Sequence, residues 1–263
     1  MQTIPFSKYQ GTGNDFIIID NTSAQYQLSQ NQIRFFCDRK FGVGSDGLML
    51  ISPPIEEGTH FHLWFYNPDG SQSFCGNGSR CGVAFAQKLH LVEEVARFTA
   101  HDGFHHATIQ TNGQVALQMS DVGPAIHYAE GLFLQTGSPH LVIQVQEIDR
   151  FDVFNTGRNL RYDARFSPGG TNVNFYEVLE PGKIKVRTYE RGVENETLSC
   201  GTGVTAAAIA AHQEYNWETS AVEVTTPGGQ LQVSFQSAQA TGHYKEVILK
   251  GPAEPVFTGT IVV

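Results

Sequence analysis

The sequence predicts an α+β protein of two pseudo-symmetric domains, each a set of strands wrapped around a central helix. Three observations carry this. The segments Cys75-Gly76-Asn77-Gly78 and Cys200-Gly201-Thr202-Gly203 each open an Ala-rich apolar run, as if one device were used twice. Short apolar, β-branched stretches recur between turn signals throughout both halves, and 27 Gly and 11 Pro favour short elements over long helices. Finally, Ala206 to Ala211 is apolar nearly all round, which suits a helix enclosed by other elements rather than one lying on a surface.

Taken in order, the run Phe16 to Asp20 follows the turn-like Gly11-Thr12-Gly13-Asn14 and reads as a strand. Ser29 is the N-cap of a helix expected to run to Cys37. The glycine-rich Gly42 to Gly47 lacks the Lys and Ser/Thr of a phosphate loop and leads into a strand over Leu48 to Ile51. Phe61 to Tyr66 is a strand stopped by Asn67-Pro68-Asp69-Gly70. After the first cysteine helix, strands are expected at 96–99, 105–110 and 114–119. The second half repeats the plan with strands at 131–136, 141–145, 172–178 and 183–189, then the Cys200 helix, then strands at 221–225, 230–235 and 244–249. Gly123-Pro124 and Gly251-Pro252 mark crossovers between the halves.

Composition excludes several classes. Lys and Arg total 17 against 26 Asp and Glu, a formal charge of -9, with no basic run, so nucleic acid and anionic membranes are poor partners. No apolar stretch approaches the roughly 18 residues of a membrane span, and the N-terminus lacks a secretory pattern. Four cysteines form no disulfide framework, and neither they nor the ten histidines stand at metal-site spacing. The expectation is a soluble, cytoplasmic protein with reduced thiols and no metal.

A lone cysteine is usually a small buried hydrophobe, and Cys37 and Cys81 read that way. Cys75 and Cys200 differ, because each precedes glycines at a helix start, where outward N-H groups and the positive dipole end favour a thiolate. One activated thiol suggests a nucleophile, with His140 able to orient or deprotonate it. Two in equivalent places suggest a nearly symmetric reaction, namely inversion of a carbon centre. A thiolate takes the α-proton from one face and a thiol returns another from the opposite face. Helix-end N-H groups would hold the charge gathering on the substrate carboxylate, with neither Schiff-base lysine nor metal needed.

These residues resemble the diaminopimelate epimerase family over nearly the whole chain. The resemblance rests on Gly11-Thr12-Gly13-Asn14-Asp15-Phe16, Gly42 to Gly47, Tyr66-Asn67-Pro68-Asp69-Gly70-Ser71, Cys75 to Cys81, Gly137-Ser138-Pro139-His140, Thr171-Asn172-Val173, Tyr189-Glu190-Arg191-Gly192, Glu196-Thr197 and Cys200 to Gly203. It implies that Cys75 and Cys200 are the acid/base pair, assisted by His140 and Glu190. Asn14, Asn67, Asn172, Glu190 and Arg191 would hold a diamino-diacid, with Gly76, Asn77, Gly201 and Thr202 presenting backbone N-H groups to its reacting carboxylate. Arg191 suits a carboxylate and Glu190 an ammonium.

The resemblance further implies mainly antiparallel strands, a homodimer and no cofactor. It places residues 1–120 with 251–263 in the half carrying Cys75 and 121–250 in the half carrying Cys200, the active site lying in the cleft between them. Two pocket positions depart from the pattern: Gly47 stands where the family often has Gln, and Ser138 where it often has Asn. Alternative readings are a proline or hydroxyproline racemase-like isomerase, which usually has a histidine where this chain has Asn77, and a non-catalytic member of the fold, in which one cysteine is commonly replaced.

Overall fold

The computed structural model describes residues 2–238 and 241–263, and the chain divides into two compact units, Met1–Leu117 with Gly251–Val263, and Gln118–Lys250. The first unit contains strands β1 (Thr3–Gly11), β2 (Asn14–Asp20), β3 (Gly47–Ser52), β4 (Phe61–Tyr66), β5 (Val95–Ala100), β6 (Gly103–Ile109), β7 (Val115–Gln118) and β17 (Glu254–Val262). Its helices are α1 (Gln30–Cys37) and α2 (Gly76–Lys88). The second contains β8 (Ile126–Tyr128), β9 (Gly131–Gln135), β10 (Pro139–Gln144), β11 (Asn172–Glu180), β12 (Lys183–Glu190), β13 (Asn195–Thr197), β14 (Ala221–Thr226), β15 (Gly229–Ala238) and β16 (His243–Gly251). Its helices are α3 (Val153–Arg161) and α4 (Gly201–Tyr215).

The ladders of the two units match strand for strand. In the first, the order is β17, β1, β2, β3, β4, β5, β6, β7, paired in turn antiparallel, antiparallel, parallel, antiparallel, parallel, antiparallel and antiparallel. In the second, β8, β9, β10, β11, β12, β14, β15 and β16 repeat the same run of senses. Parallel neighbours need a crossover, and helices provide it at the same steps: α1 and α3 at the first parallel pair, α2 and α4 at the second. The duplication expected from the two cysteine segments is therefore present in the topology.

Each cysteine helix is the centre of its unit. α2 packs against β1, β2, β3, β4 and β6, and α4 against β9, β10, β11, β12, β14 and β15. Every residue of α4 from Gly203 to His212 is buried, as its apolar circumference requires. α1 packs against β3 and opens with the expected Ser29 cap, made reciprocal by Gln32: each side chain bonds the other residue's backbone N-H. Five elements were not foreseen as read from the residues: β1, β8, α3, β13 and β17. Of these, β17 pairs antiparallel with β1 in the first unit.

Candidate active site

In the first unit, Cys75 has extended backbone (φ -135°, ψ 112°) and is the N-cap of α2, its Sγ accepting from the Gly78 N-H at 3.4 Å. A tight turn with positive φ at Thr12 and Gly13 joins β1 to β2 and delivers Asn14 to this helix end. Asn14 Oδ1 accepts from Asn77 Nδ2 at 3.4 Å and faces Cys75 Sγ at 3.9 Å. Its Nδ2 donates to Asp46 at 2.7 Å. Asp46 in turn accepts from Arg39, which also pairs with Asp15, and Asp15 pairs with the buried Lys8. An alternating chain of charges thus fixes the amide orientation of Asn14, so that its oxygen faces the sulfur.

Asn67 sits where β4 ends. Its carbonyl accepts from Gly70 N-H at 2.8 Å, Nδ2 donates to Ser71 Oγ at 3.0 Å, and Oδ1 accepts from Ser73 Oγ at 3.2 Å. The residue therefore shapes the loop that leads into Cys75. Gly47 lies within β3, and a side chain begun there would meet the Phe65 ring at 2.7 Å and the Tyr66 carbonyl at 3.1 Å. The space next to Gly47 is filled by Phe65, which also packs edge-on against Phe16, with ring centroids 6.0 Å apart.

In the second unit Cys200 is again an extended N-cap (φ -119°, ψ 113°), opening α4. Its Sγ is 3.5 Å from Thr202 Oγ1, which is 2.9 Å from His140 Nε2. Ser138 Oγ completes a triangle at 3.0 Å from Nε2 and 3.2 Å from Thr202 Oγ1. On the other side of the ring, Asn174 Nδ2 donates to His140 Nδ1 at 3.0 Å, while Asn174 Oδ1 accepts from the Thr188 hydroxyl at 2.9 Å. A ring that accepts at Nδ1 carries its proton on Nε2 and donates it to the Thr202–Ser138 pair. Burial, reinforced by the charge of Arg191 and only partly offset by Asn174, pulls His140 down to about 3. The imidazole is thus neutral at physiological pH and is linked to Cys200 through the Thr202 hydroxyl.

Asn172 ties these segments together. Its Nδ2 donates to Pro139 O at 2.9 Å and Ser138 Oγ at 3.3 Å, and its Oδ1 accepts the Arg191 backbone N-H at 2.8 Å. Glu190 Oε2 accepts from Thr197 Oγ1 at 2.8 Å. Nearby arginines are paired, Arg187 with both carboxylate oxygens of Glu196 and Arg161 with Glu194, whereas Arg191 forms no salt bridge among the described residues. Gly203 is obligatory here, since a Cβ would stand 2.3 Å from Asn174 Oδ1. Thr136 Oγ1 donates to the Thr202 carbonyl at 2.8 Å, fixing the first turn of α4.

Sequence reasoning missed Asp46, Asn174, Thr188 and Phe65. Asn174 was detectable, because Asn172 and Asn174 share one face of a strand by period two. Cys37 and Cys81 are buried, as expected of structural thiols. Among the described residues no group of three or more His, Cys, Asp or Glu is placed to hold a metal ion, and no helix is long and apolar enough to cross a membrane.

Comparison with known proteins agrees over the full length. The family model described as Diaminopimelate epimerase matches residues 6–127 and 132–255. The protein named Diaminopimelate epimerase of Flavobacterium psychrophilum is 46% identical over 257 residues, covering 97% of this chain and 98% of that one. Its namesake from Chlorobaculum tepidum is 38% identical over 263 residues, covering 95% and 98%. Among solved structures, a PhzF-family phenazine biosynthesis protein of Bacillus anthracis shares the fold with TM-score 0.75 at 13% identity, covering all of both chains. A probable proline racemase from Agrobacterium radiobacter does so with TM-score 0.71 at 15% identity, covering 99% of this chain and 93% of that one.

Proposed function

The chain belongs to the diaminopimelate epimerase family, and from that premise we propose that it interconverts LL- and meso-2,6-diaminopimelate by a two-base thiol reaction without a cofactor. The observation that carries the chemistry is the repeated cysteine. Each of two matching ladders presents one, as the N-cap of its central helix, at the second parallel crossover.

In this reading the two half-sites address opposite faces of one α-carbon. The thiolate of one cysteine takes the α-proton and becomes a thiol, while the electron pair passes into the α-carboxylate. The other cysteine, initially a thiol, delivers its proton to the opposite face and becomes the thiolate. The reverse reaction exchanges these roles. Backbone N-H groups of Gly76, Asn77, Gly201 and Thr202 hold the carboxylate while charge accumulates on it, because the first-turn donors of a helix face outward. Arg191 receives the distal carboxylate, Glu190 an ammonium, and Asn14, Asn67 and Asn172 complete the cradle, with Ser138 and Gly47 at its edges. Lysine and cell-wall precursor synthesis, a cytoplasmic location and a homodimer belong to the same proposal.

Purified protein in heavy water should incorporate solvent deuterium at the α-position of LL-diaminopimelate, and Cys75→Ala or Cys200→Ala should each abolish epimerisation while the chain stays folded. Exchange into L-proline alone would favour the racemase alternative, and near-full turnover by either variant would end the two-base mechanism.

A further inference from the structure

The residue in front of Cys75 closes a column of stacked rings. Phe74 lies flat on the imidazole of His105 in β6, with centroids 4.4 Å apart and planes 7° from parallel. His105 lies over Phe98 in β5 at 5.4 Å and 26°, and Phe98 over Phe61 in β4 at 5.0 Å and 3°. The ladder sets up this column: Phe61 pairs with Phe98, and Phe98 with His105, so three of the rings rise from one line of register. Phe61 and Phe98 are fully buried, so the base of the column is held by the core. His105 is held at its edge as well, since its Nε2 donates to the carboxylate of Asp102, in the turn between β5 and β6, at 2.7 Å. An apolar residue just before an N-cap sets the angle at which the chain enters the helix, ordinarily by packing on the fourth helical residue. In α2 that residue is Ser79, which offers no apolar face, and Phe74 packs across onto β6 instead.

We propose that His105 is a positioning residue for Cys75: it seats the Phe74 ring and so holds the extended cap in which Cys75 Sγ meets the Gly78 N-H. Asn67 fastens the preceding loop as far as Ser73, and Phe74 carries the fastening on to Cys75. The second unit meets the same need by other means. Its matching line of register is Ile184, Val224 and Leu231, none of them a ring, and Ser199 precedes Cys200. There the turn between β14 and β15, the counterpart of the β5–β6 turn, holds the approach to the cap through the main chain: Gly228 N-H donates to Leu198 O at 2.9 Å. In both units the chain ahead of the cysteine cap is thus fastened to the hairpin beside it, by stacked rings in one and by a backbone bond in the other. A side-chain fastening can be removed by substitution, which makes the first unit the one to test.

The proposal rests on the two-cysteine reading, but the seating of the cap can be followed without turnover, by amide hydrogen exchange over the first turn of α2. The full chain is compared as wild type, His105→Ala, Phe74→Ala, His105→Phe and Asp102→Ala. His105→Ala and Phe74→Ala should each speed exchange between Gly76 and Arg80 by about tenfold or more and leave Gly201 to Thr205 unchanged. Each should also lower kcat for epimerisation by about tenfold or more, since a misplacement of about 1 Å costs up to about 100-fold. KM should stay within about threefold, because Glu190 and Arg191, assigned to the distal end of the substrate, belong to the second unit. The double variant should be no slower than either single one, as both remove the same contact. His105→Phe, which restores a flat ring, should recover most of both losses. Asp102→Ala alters only an exposed turn, so it decides the matter even if His105→Ala does not fold, and should speed the same exchange by about threefold. Exchange or kcat within about twofold of wild type in folded His105→Ala overturns the proposal. So does a His105→Phe as impaired as His105→Ala, or unchanged exchange in Asp102→Ala. Faster exchange at the start of α2 in a protein that epimerises no diamino-diacid would remove the epimerase reading and leave the seating of Cys75 by His105 intact.

Discussion

Replacing Thr202 with valine removes one hydroxyl and little else, so it isolates the link between His140 and Cys200. In the structure the Thr202 hydroxyl accepts from His140 Nε2 at 2.9 Å and lies 3.5 Å from Cys200 Sγ. Because the imidazole donates, the hydroxyl proton is available to the sulfur, and its strongest bond is to the thiolate. A hydrogen bond to a charged group contributes about 1.5–3 kcal/mol. At about 1.4 kcal/mol per decade, Thr202→Val should slow epimerisation by roughly 10- to 150-fold. Folding should suffer less, about 1 kcal/mol, because His140 keeps Ser138 as an acceptor at 3.0 Å. The assay is α-deuterium incorporation from heavy water, with urea unfolding as the control. Thr202→Ser, which keeps the hydroxyl, should be close to wild type. The loss should also be constant between pH 6 and 8, where the imidazole stays neutral. A Thr202→Val rate within twofold of wild type, or a Thr202→Ser rate as low as that of Thr202→Val, would refute the relay.

His140 should also make the protein acid-sensitive. Its value is about 3 when folded and about 6.5 when unfolded, so between these the unfolded chain binds the extra proton. Its stabilising effect is therefore complete above pH 6.5 and lost as pH falls toward 3, at up to about 1.4 kcal/mol per unit. His140→Gln should flatten that part of the urea-unfolding profile, and an unchanged slope between pH 7 and 4.5 would contradict this origin. At the first half-site, Gly47→Gln should destabilise by about 1–3 kcal/mol, because its Cβ would meet the Phe65 ring at 2.7 Å. Adding Phe65→Ala should recover part of that loss in a double-mutant cycle, whereas simple additivity would show that the two positions do not share the space.

The parts of the fold that were legible announced themselves by apolar run and turn. β4 was bounded to the residue because Asn67-Pro68-Asp69-Gly70 ends it, and α1 because Ser29 caps it. β17 was hidden from residue patterning because it is an edge strand with Pro255 and Gly259 in it, and most of its residues are exposed, so its pattern lacks the inner face of β3. α3 escaped because Asn155, Gly157 and Asn159 dilute a short helix whose stability comes from packing on β11, β12 and β13. At the site, the cysteines were legible because glycines and a helix start sit beside them in the chain. Asn174 and Phe65 act across strands and turns, and spacing in one dimension does not reveal such contacts.

Matching the ladders position by position explains why the duplication is only half repeated in the chemistry. Phe16 and Gly47 face each other in the first parallel pair of one unit, and His140 and Asn172 hold the same register in the other. One residue before Tyr66 and Tyr189, which share a register, stand Phe65 and Thr188. At equivalent places, then, the Cys75 half has an aromatic wall and the Cys200 half a buried polar network. A symmetric pair of faces needs only the helix ends to be alike, and those are alike down to the extended cap and the glycines behind it. The walls are free to differ, because a diamino-diacid is itself asymmetric about its reacting carbon, with hydrogen on one bond and a long polar arm on another. Charge control is divided in the same way. The second unit carries a ring that stays neutral beside the Thr202 hydroxyl, and the first carries an asparagine oxygen turned toward its sulfur.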